Sequence, residues 1–76
     1  MKIALDFAQR KAEKLNQGLN SATIAIKLNP SHHEGYYIRG LIFLSKDDLF
    51  KACIDLRRAD RLGNENAARH IDDNCK

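Results

Sequence analysis

Residues 36–59, YYIRGLIFLSKDDLFKACIDLRRA, decide the fold of this chain. Tyr36, Gly40 and Phe43 fall three to four residues apart and share one face of a helix. Ala52, Leu56 and Ala59 repeat that spacing after an interruption. The interruption, Ser45-Lys46-Asp47-Asp48, is polar and just long enough to join two antiparallel helices. Asp47 or Asp48 is placed to cap the second helix by accepting hydrogen bonds from its free backbone amides. Small Gly40 and Ala52 let the two backbones approach closely, and Tyr36, Phe43 and Leu56 fill the space around that contact. The stretch reads as a helical hairpin.

Outward toward the N-terminus, an apolar stripe runs Leu5, Ala8, Ala12, Leu15, Leu19, Ala22, Ile26. Its steps alternate between three and four residues, the seam of one continuous helix from about Lys2 to Leu28. Gly18, among Asn16, Gln17 and Asn20, is the weak point, costing about 1 kcal/mol relative to alanine. Pro30 ends this helix, because the residue ahead of a proline is pushed out of the helical region. Ser31 is placed to cap the next helix, with Glu34 completing a capping box. That helix reaches Leu44 or Ser45, and its partner runs from Asp48 to Leu62, stopped by Gly63. Asn64 caps a last helix, Glu65 to Asn74, whose Ala67, Ala68 and Ile71 are expected to face the hairpin. The predicted class is all-α.

The hairpin resembles the tetratricopeptide repeat. That family's unit of about 34 residues opens with an aromatic, places Leu-Gly and a second aromatic at helical spacing, and closes with Ala, a bulky apolar residue and Ala. Tyr36, Gly40 and Phe43 match the first helix, and Ala52, Leu56 and Ala59 match the second. Arg39 stands where the family usually has Leu, and Asn64 takes the place of the closing proline. Lys27-Leu28-Asn29-Pro30 looks like the end of a preceding repeat, in which Gly18, Ala22 and Ala25 occupy the small packing positions. The tail from Ala52 to Lys76 resembles the closing segment of bacterial proteins of this type. The resemblance implies a right-handed solenoid fragment: 1–30 a partial or extended-helix repeat, 31–64 a complete repeat, and 65–76 a capping helix. It also implies a helix-to-helix turn near Glu13-Lys14. The local residues, good helix formers without a breaker, favour the single long helix instead.

The chain has 76 residues, a formal net charge of +3, and 30% charged residues of mixed sign, the composition of one small domain with a solvated surface. No run of like charge marks a nucleic-acid or membrane tail. The opening MKIALDFAQRKAEK is interrupted by Asp6 and has no small-residue cleavage site, so neither a secretory signal nor a membrane span is expected. The default compartment is then the cytoplasm, or an exported one if the chain is a piece of a longer protein.

Cys53 and Cys75 lie equally far on either side of Asn64, so a turn at Gly63-Asn64 brings both to the same end of an antiparallel pair. A disulfide between them is geometrically reasonable, closing a loop worth about 3 kcal/mol in the chain-entropy picture. The bland alternative is a small buried hydrophobe and a thiol at a frayed end. His32, His33 and His70 do not have the converging spacing of a metal site. No phosphate loop, nucleophile motif or His–carboxylate pair suggests catalysis or a cofactor. Lys51, Arg57, Arg58 and Arg61 form a basic set, but Asp55 and Asp60 interleave with it, which fits pairing within the helix better than a phosphate track.

In the family, partners commonly lie on the concave surface made by the first helices of the repeats. Here that face carries Glu34, Tyr37, Leu41 and Leu44. The Lys, Asn and Arg clamp for a terminal carboxylate, found in one subclass, is replaced by Tyr37, Ile38 and Leu41. The expected function is protein binding without catalysis, with a protein or peptide partner. The competing expectation is self-assembly. A helix from Lys2 to Leu28 spans about 40 Å, twice the hairpin arms, so its N-terminal half projects. A homodimer seamed by Leu5, Ala8, Ala12 and Leu15 would bury it. A basic nucleic-acid accessory is the third, weaker expectation.

Overall fold

The computed structural model describes the backbone of residues 2–75 and the side chains of residues 10–75. Four helices follow one another: α1 (Lys2–Leu28), α2 (His33–Ser45), α3 (Leu49–Arg61) and α4 (Glu65–Asn74). No strand occurs among the described residues. The first helix is continuous through Glu13-Lys14 and Gly18, as its uninterrupted heptad-like seam demands.

The hairpin of α2 and α3 is held by a close approach at Gly40, the tightest of the glycine contacts. A Cβ built on Gly40 would stand 2.9 Å from Leu56 Cγ and 3.3 Å from the Ala52 carbonyl oxygen. Ala52, Leu56 and Ala59 have no solvent exposure, and Tyr36 closes the same cluster from α2. On the other side of α2, the C-terminal half of α1 packs through Ala22 and Ile26. Ile26 Cγ1 would meet a Cβ on Gly35 at 3.0 Å, and Ile42 Cδ1 would meet one on Gly18 at the same distance. These two contacts run in opposite chain directions, so α1 and α2 are antiparallel. Near the end of α2, Lys46 Nζ donates to Asn16 Oδ1 at 2.8 Å. Beyond Lys11 the backbone of α1 runs on for about 13 Å.

Both turns of the remaining chain use one device. At the end of α2, Asp47 adopts φ 60°, its amide donates to Leu44 O, and the Asp48 amide donates to Phe43 O. At the end of α3, Gly63 adopts φ 104°, its amide donates to Asp60 O, and the Asn64 amide donates to Ala59 O. Each is the paired hydrogen bond that closes a helix around a left-handed residue. In each, the next residue turns round and caps the following helix. Asp48 accepts from the Lys51 amide, and Asn64 accepts from the amides of Asn66 and Ala67.

Two local expectations are corrected. Ser31 does not cap α2: His32 occupies the cap position without a side-chain hydrogen bond. The Ser31 amide instead donates to Asn29 Oδ1 and the His32 amide to Asn29 O, so Asn29 organises the turn and delays the helix. Ala68 is exposed, whereas Ala67 is buried and Ile71 packs against the core, because α4 presents only a narrow stripe to α3.

Two measurements check this packing. Ala52→Leu should destabilise the chain by about 1–3 kcal/mol, since the added volume has only Gly40 and Leu56 to displace. Gly63→Ala should cost about 1 kcal/mol through backbone strain alone, because a Cβ there meets nothing within 4 Å. Unchanged denaturation midpoints would contradict both assignments.

Candidate functional site

Two surfaces of α2 carry the chain's chemistry. The first lies between α2 and the α3–α4 turn, a shallow groove of about 450 Å³ lined by His33, Glu34, Tyr37, Ile38 and Gly63 to Asn66. It contains two of the residues expected to meet a partner, Glu34 and Tyr37. Tyr37 is half-buried, and its hydroxyl shares a 3.2 Å hydrogen bond with His70 Nε2 of α4. The Asn64 side-chain amide donates to His33 Nδ1 at 3.2 Å, tying the start of α4 to the start of α2. Leu44, also expected on the binding face, is half-buried and packs against the core cluster. Leu41 is half-buried. Leu44 is thus drawn toward the core, and the open part of this face is the Glu34–Ile38 end.

The second surface is built around a buried ion pair. Arg39 Nε donates to Asp55 Oδ2 at 2.7 Å and Arg39 Nη2 donates to Asp55 Oδ1 at 2.9 Å, a two-pronged pair between α2 and α3. Arg39 Nη1 also reaches Thr23 Oγ1 at 3.4 Å, and the Thr23 hydroxyl donates to Leu19 O within α1. One side chain thereby links three helices. Asp55 is almost fully buried, while Arg39 keeps a fifth of its side chain exposed. The hydrogen bond to Asp55 holds the Arg39 guanidinium above its ordinary pKa, against the opposing effect of burial. The expectation that Asp55 pairs within α3 is thus overturned. Its side chain points across the hairpin to Arg39 of α2.

That pairing leaves the basic residues of α3 around Tyr36. Arg58 and Arg39 both place their guanidinium carbons 5.7 Å from the centre of the Tyr36 ring. With Ile54, Asp55, Arg57 and Arg61 they line an open groove of about 390 Å³. Arg57 Nη2 donates to the Cys75 carbonyl at 3.2 Å. Lys51 lies over the Phe43 ring and near Asp48, further along α3.

The remaining candidate residues are placed as follows. Cys53 and Cys75 are joined by a disulfide, with Cα atoms 5.8 Å apart, which ties the end of α4 to α3. Of the expected dimer seam, Ala12 is exposed and Leu15 half-buried beside Ser45 and Lys46. Leu5 and Ala8 lie outside the described side chains. Among the described residues no helix is long and apolar enough to cross a membrane. Sequence reasoning missed two features. The Arg39–Asp55 pair was signalled only by a charged residue, Arg39, directly before the close-packed Gly40 on α2. The exposure of Phe50 and Leu28 had no signal, because apolar residues at helical spacing read as core.

The ion pair makes a directional prediction. Asp55→Ala should destabilise by about 3 kcal/mol, since it strands a partly buried guanidinium, whereas Arg39→Leu with Asp55→Leu should be close to neutral. Urea denaturation of the two variants checks this. Equal losses in both would show that the pair contributes packing alone. Reduction of the disulfide should lower stability by about 2–3 kcal/mol through the loop it releases, read in the same titration with and without reductant.

Compared with known proteins, the chain matches no protein-family model, and no curated protein or solved structure matches it significantly.

Proposed function

We propose that the chain is a non-catalytic protein-binding module of the tetratricopeptide repeat type. In this reading α2 and α3 form one complete repeat, the second half of α1 stands for the second helix of a preceding one, and α4 caps the stack. The resemblance rests on Tyr36, Gly40, Phe43, Ala52, Leu56 and Ala59, and the close contact of Gly40 with Ala52 and Leu56 supports it.

The observation that carries the binding role is the apolar surface left in water. Leu28 is 81% exposed and Phe50 77%, and Ile24, Ile38, Leu49 and Ile54 are about half exposed. They form ridges: Ile24 and Leu28 are one turn apart on α1, and Phe50 and Ile54 one turn apart on α3. Burying one such side chain is worth about 1.5–3 kcal/mol, the gain a partner would collect. The open end of the α2–α4 groove, with Glu34, Tyr37 and Ile38, adds polar groups for orientation.

A second reading is favoured by one feature. The sequence spacing that puts Leu15, Ala22 and Ile26 on one face of α1 continues N-terminally through Ala12, Ala8 and Leu5. A second copy of the chain would extend that packing through Ala12 and Leu15 and make a homodimer. Nucleic-acid binding by Lys51, Arg57, Arg58 and Arg61 is the least favoured reading, since these residues lie close together rather than along a track.

Peptides selected for binding from a random library, mapped by amide chemical-shift changes, test the first reading. Shifts should cluster on Glu34 to Leu41 and on the exposed ridges. Sedimentation at two concentrations separates the second, because a pure adaptor stays monomeric. A dimer abolished by Ala12→Glu with Leu15→Glu, and no peptide shifts, would replace the first reading by the second.

A further inference from the structure

We propose that the groove between Tyr36 of α2 and the arginines of α3 is a docking site for an acidic peptide segment with an apolar anchor, one side chain of which sits on Ile54. This rests on the protein-binding reading and names the chemistry of the partner at a surface separate from the α2–α4 groove.

Charge complementarity carries the argument. Arg57, Arg58 and Arg61 lie within about 6 Å along the axis of α3. Asp55, the carboxylate that lines this groove, is withdrawn: it is buried and both its oxygens are held by Arg39, while Asp60, next to Arg61 in sequence, is exposed and outside the groove's lining. Among the described residues none of the three arginines has a carboxylate within ion-pair distance. Within the groove the three cations therefore have no ion-paired carboxylate among the described residues, because Arg39 holds the one that lines it.

The cluster is also partly organised. The Arg58 guanidinium carbon lies 5.7 Å from the centre of the Tyr36 ring, a cation–π contact that keeps it beside the groove, and no described residue takes up its N–H groups. Arg57 is anchored by the Cys75 carbonyl, and the disulfide fixes that carbonyl relative to α3. Between these groups Ile54 is half exposed, an apolar floor in a groove otherwise lined by charge. A ligand that satisfies both has carboxylates flanking an aliphatic side chain. A duplex fits less well. Tight phosphate-backbone binding needs about 6–10 neutralised phosphates, and this patch offers three cations.

The test is fluorescence anisotropy with a short labelled peptide of alternating glutamate and leucine, run on the oxidised protein at low and physiological salt. The same peptide with glutamine for glutamate, and a random duplex DNA, serve as comparisons. The proposal expects the acidic peptide to bind, the glutamine peptide and the DNA to bind at least about tenfold more weakly, and Arg58→Ala with Arg61→Ala to remove at least about tenfold in affinity. Both arginines are exposed, so helicity and melting of that variant should match wild type. Arg58→Lys with Arg61→Lys should retain the charge but lose part of the affinity, because the planar fork is gone. Binding unchanged in the alanine variant, or DNA binding equal to that of the peptide, overturns the proposal. If the acidic peptide fails while library-selected peptides still map to Glu34–Leu41, this inference falls and the protein-binding reading stands.

Discussion

The contact between Gly40 and Leu56 is the constraint on which the rest of the structure depends. No side chain larger than hydrogen fits at Gly40 without moving Leu56, and Leu56 is the largest fully buried side chain among the described residues. The approach it allows brings Ala52 and Ala59 into the same core, aligns Tyr36 above them, and sets the distance across which Arg39 reaches Asp55. In a chain this small the buried core is short of large side chains, so helix–helix distance matters more than the volume of any one residue. α4 and α1 then attach to opposite sides of the hairpin rather than building cores of their own.

The turns show how little sequence is needed to hold that arrangement. Asp48 and Asn64 each finish one helix with the backbone amide and start the next with the side chain. Their predecessors, Asp47 and Gly63, take the left-handed conformation that makes the reversal. Asn64 does more than Asp48, because its amide group also reaches His33 and so registers α4 on α2. The bond between Cys53 and Cys75 holds the other end of α4. The last helix is thereby fixed at both ends with few buried apolar groups of its own.

Most of the fold was legible because helices announce themselves by local rules. The span of α1 followed from an unbroken apolar period without a breaker, the second turn from Gly63 and Asn64, and the hairpin face from three small and three large residues at helical spacing. What failed did so where a competing partner was not local. Ser31 lost the cap to the Asn29 turn. Asp55 was read against the arginines of its own helix, yet its partner is on α2, and only the three-dimensional approach at Gly40 brings them together. The binding face was half legible: Glu34 and Tyr37 line a groove, but the sequence does not show that Leu44 packs against the core cluster. Exposure of Leu28, Phe50 and Ile54 was invisible for the same reason, since the period of a helix places a face without saying whether anything covers it.

Native-state hydrogen exchange tests the central claim most directly. If the Gly40–Leu56 contact organises the chain, the amides of residues 36–43 and 52–59 should exchange slowest, together, and at the free energy of global unfolding. The amides at the start of α1 and the end of α4 should open at lower cost. Protection that peaks in α1, with the hairpin amides exchanging earlier, would contradict the account and place the stabilising core elsewhere.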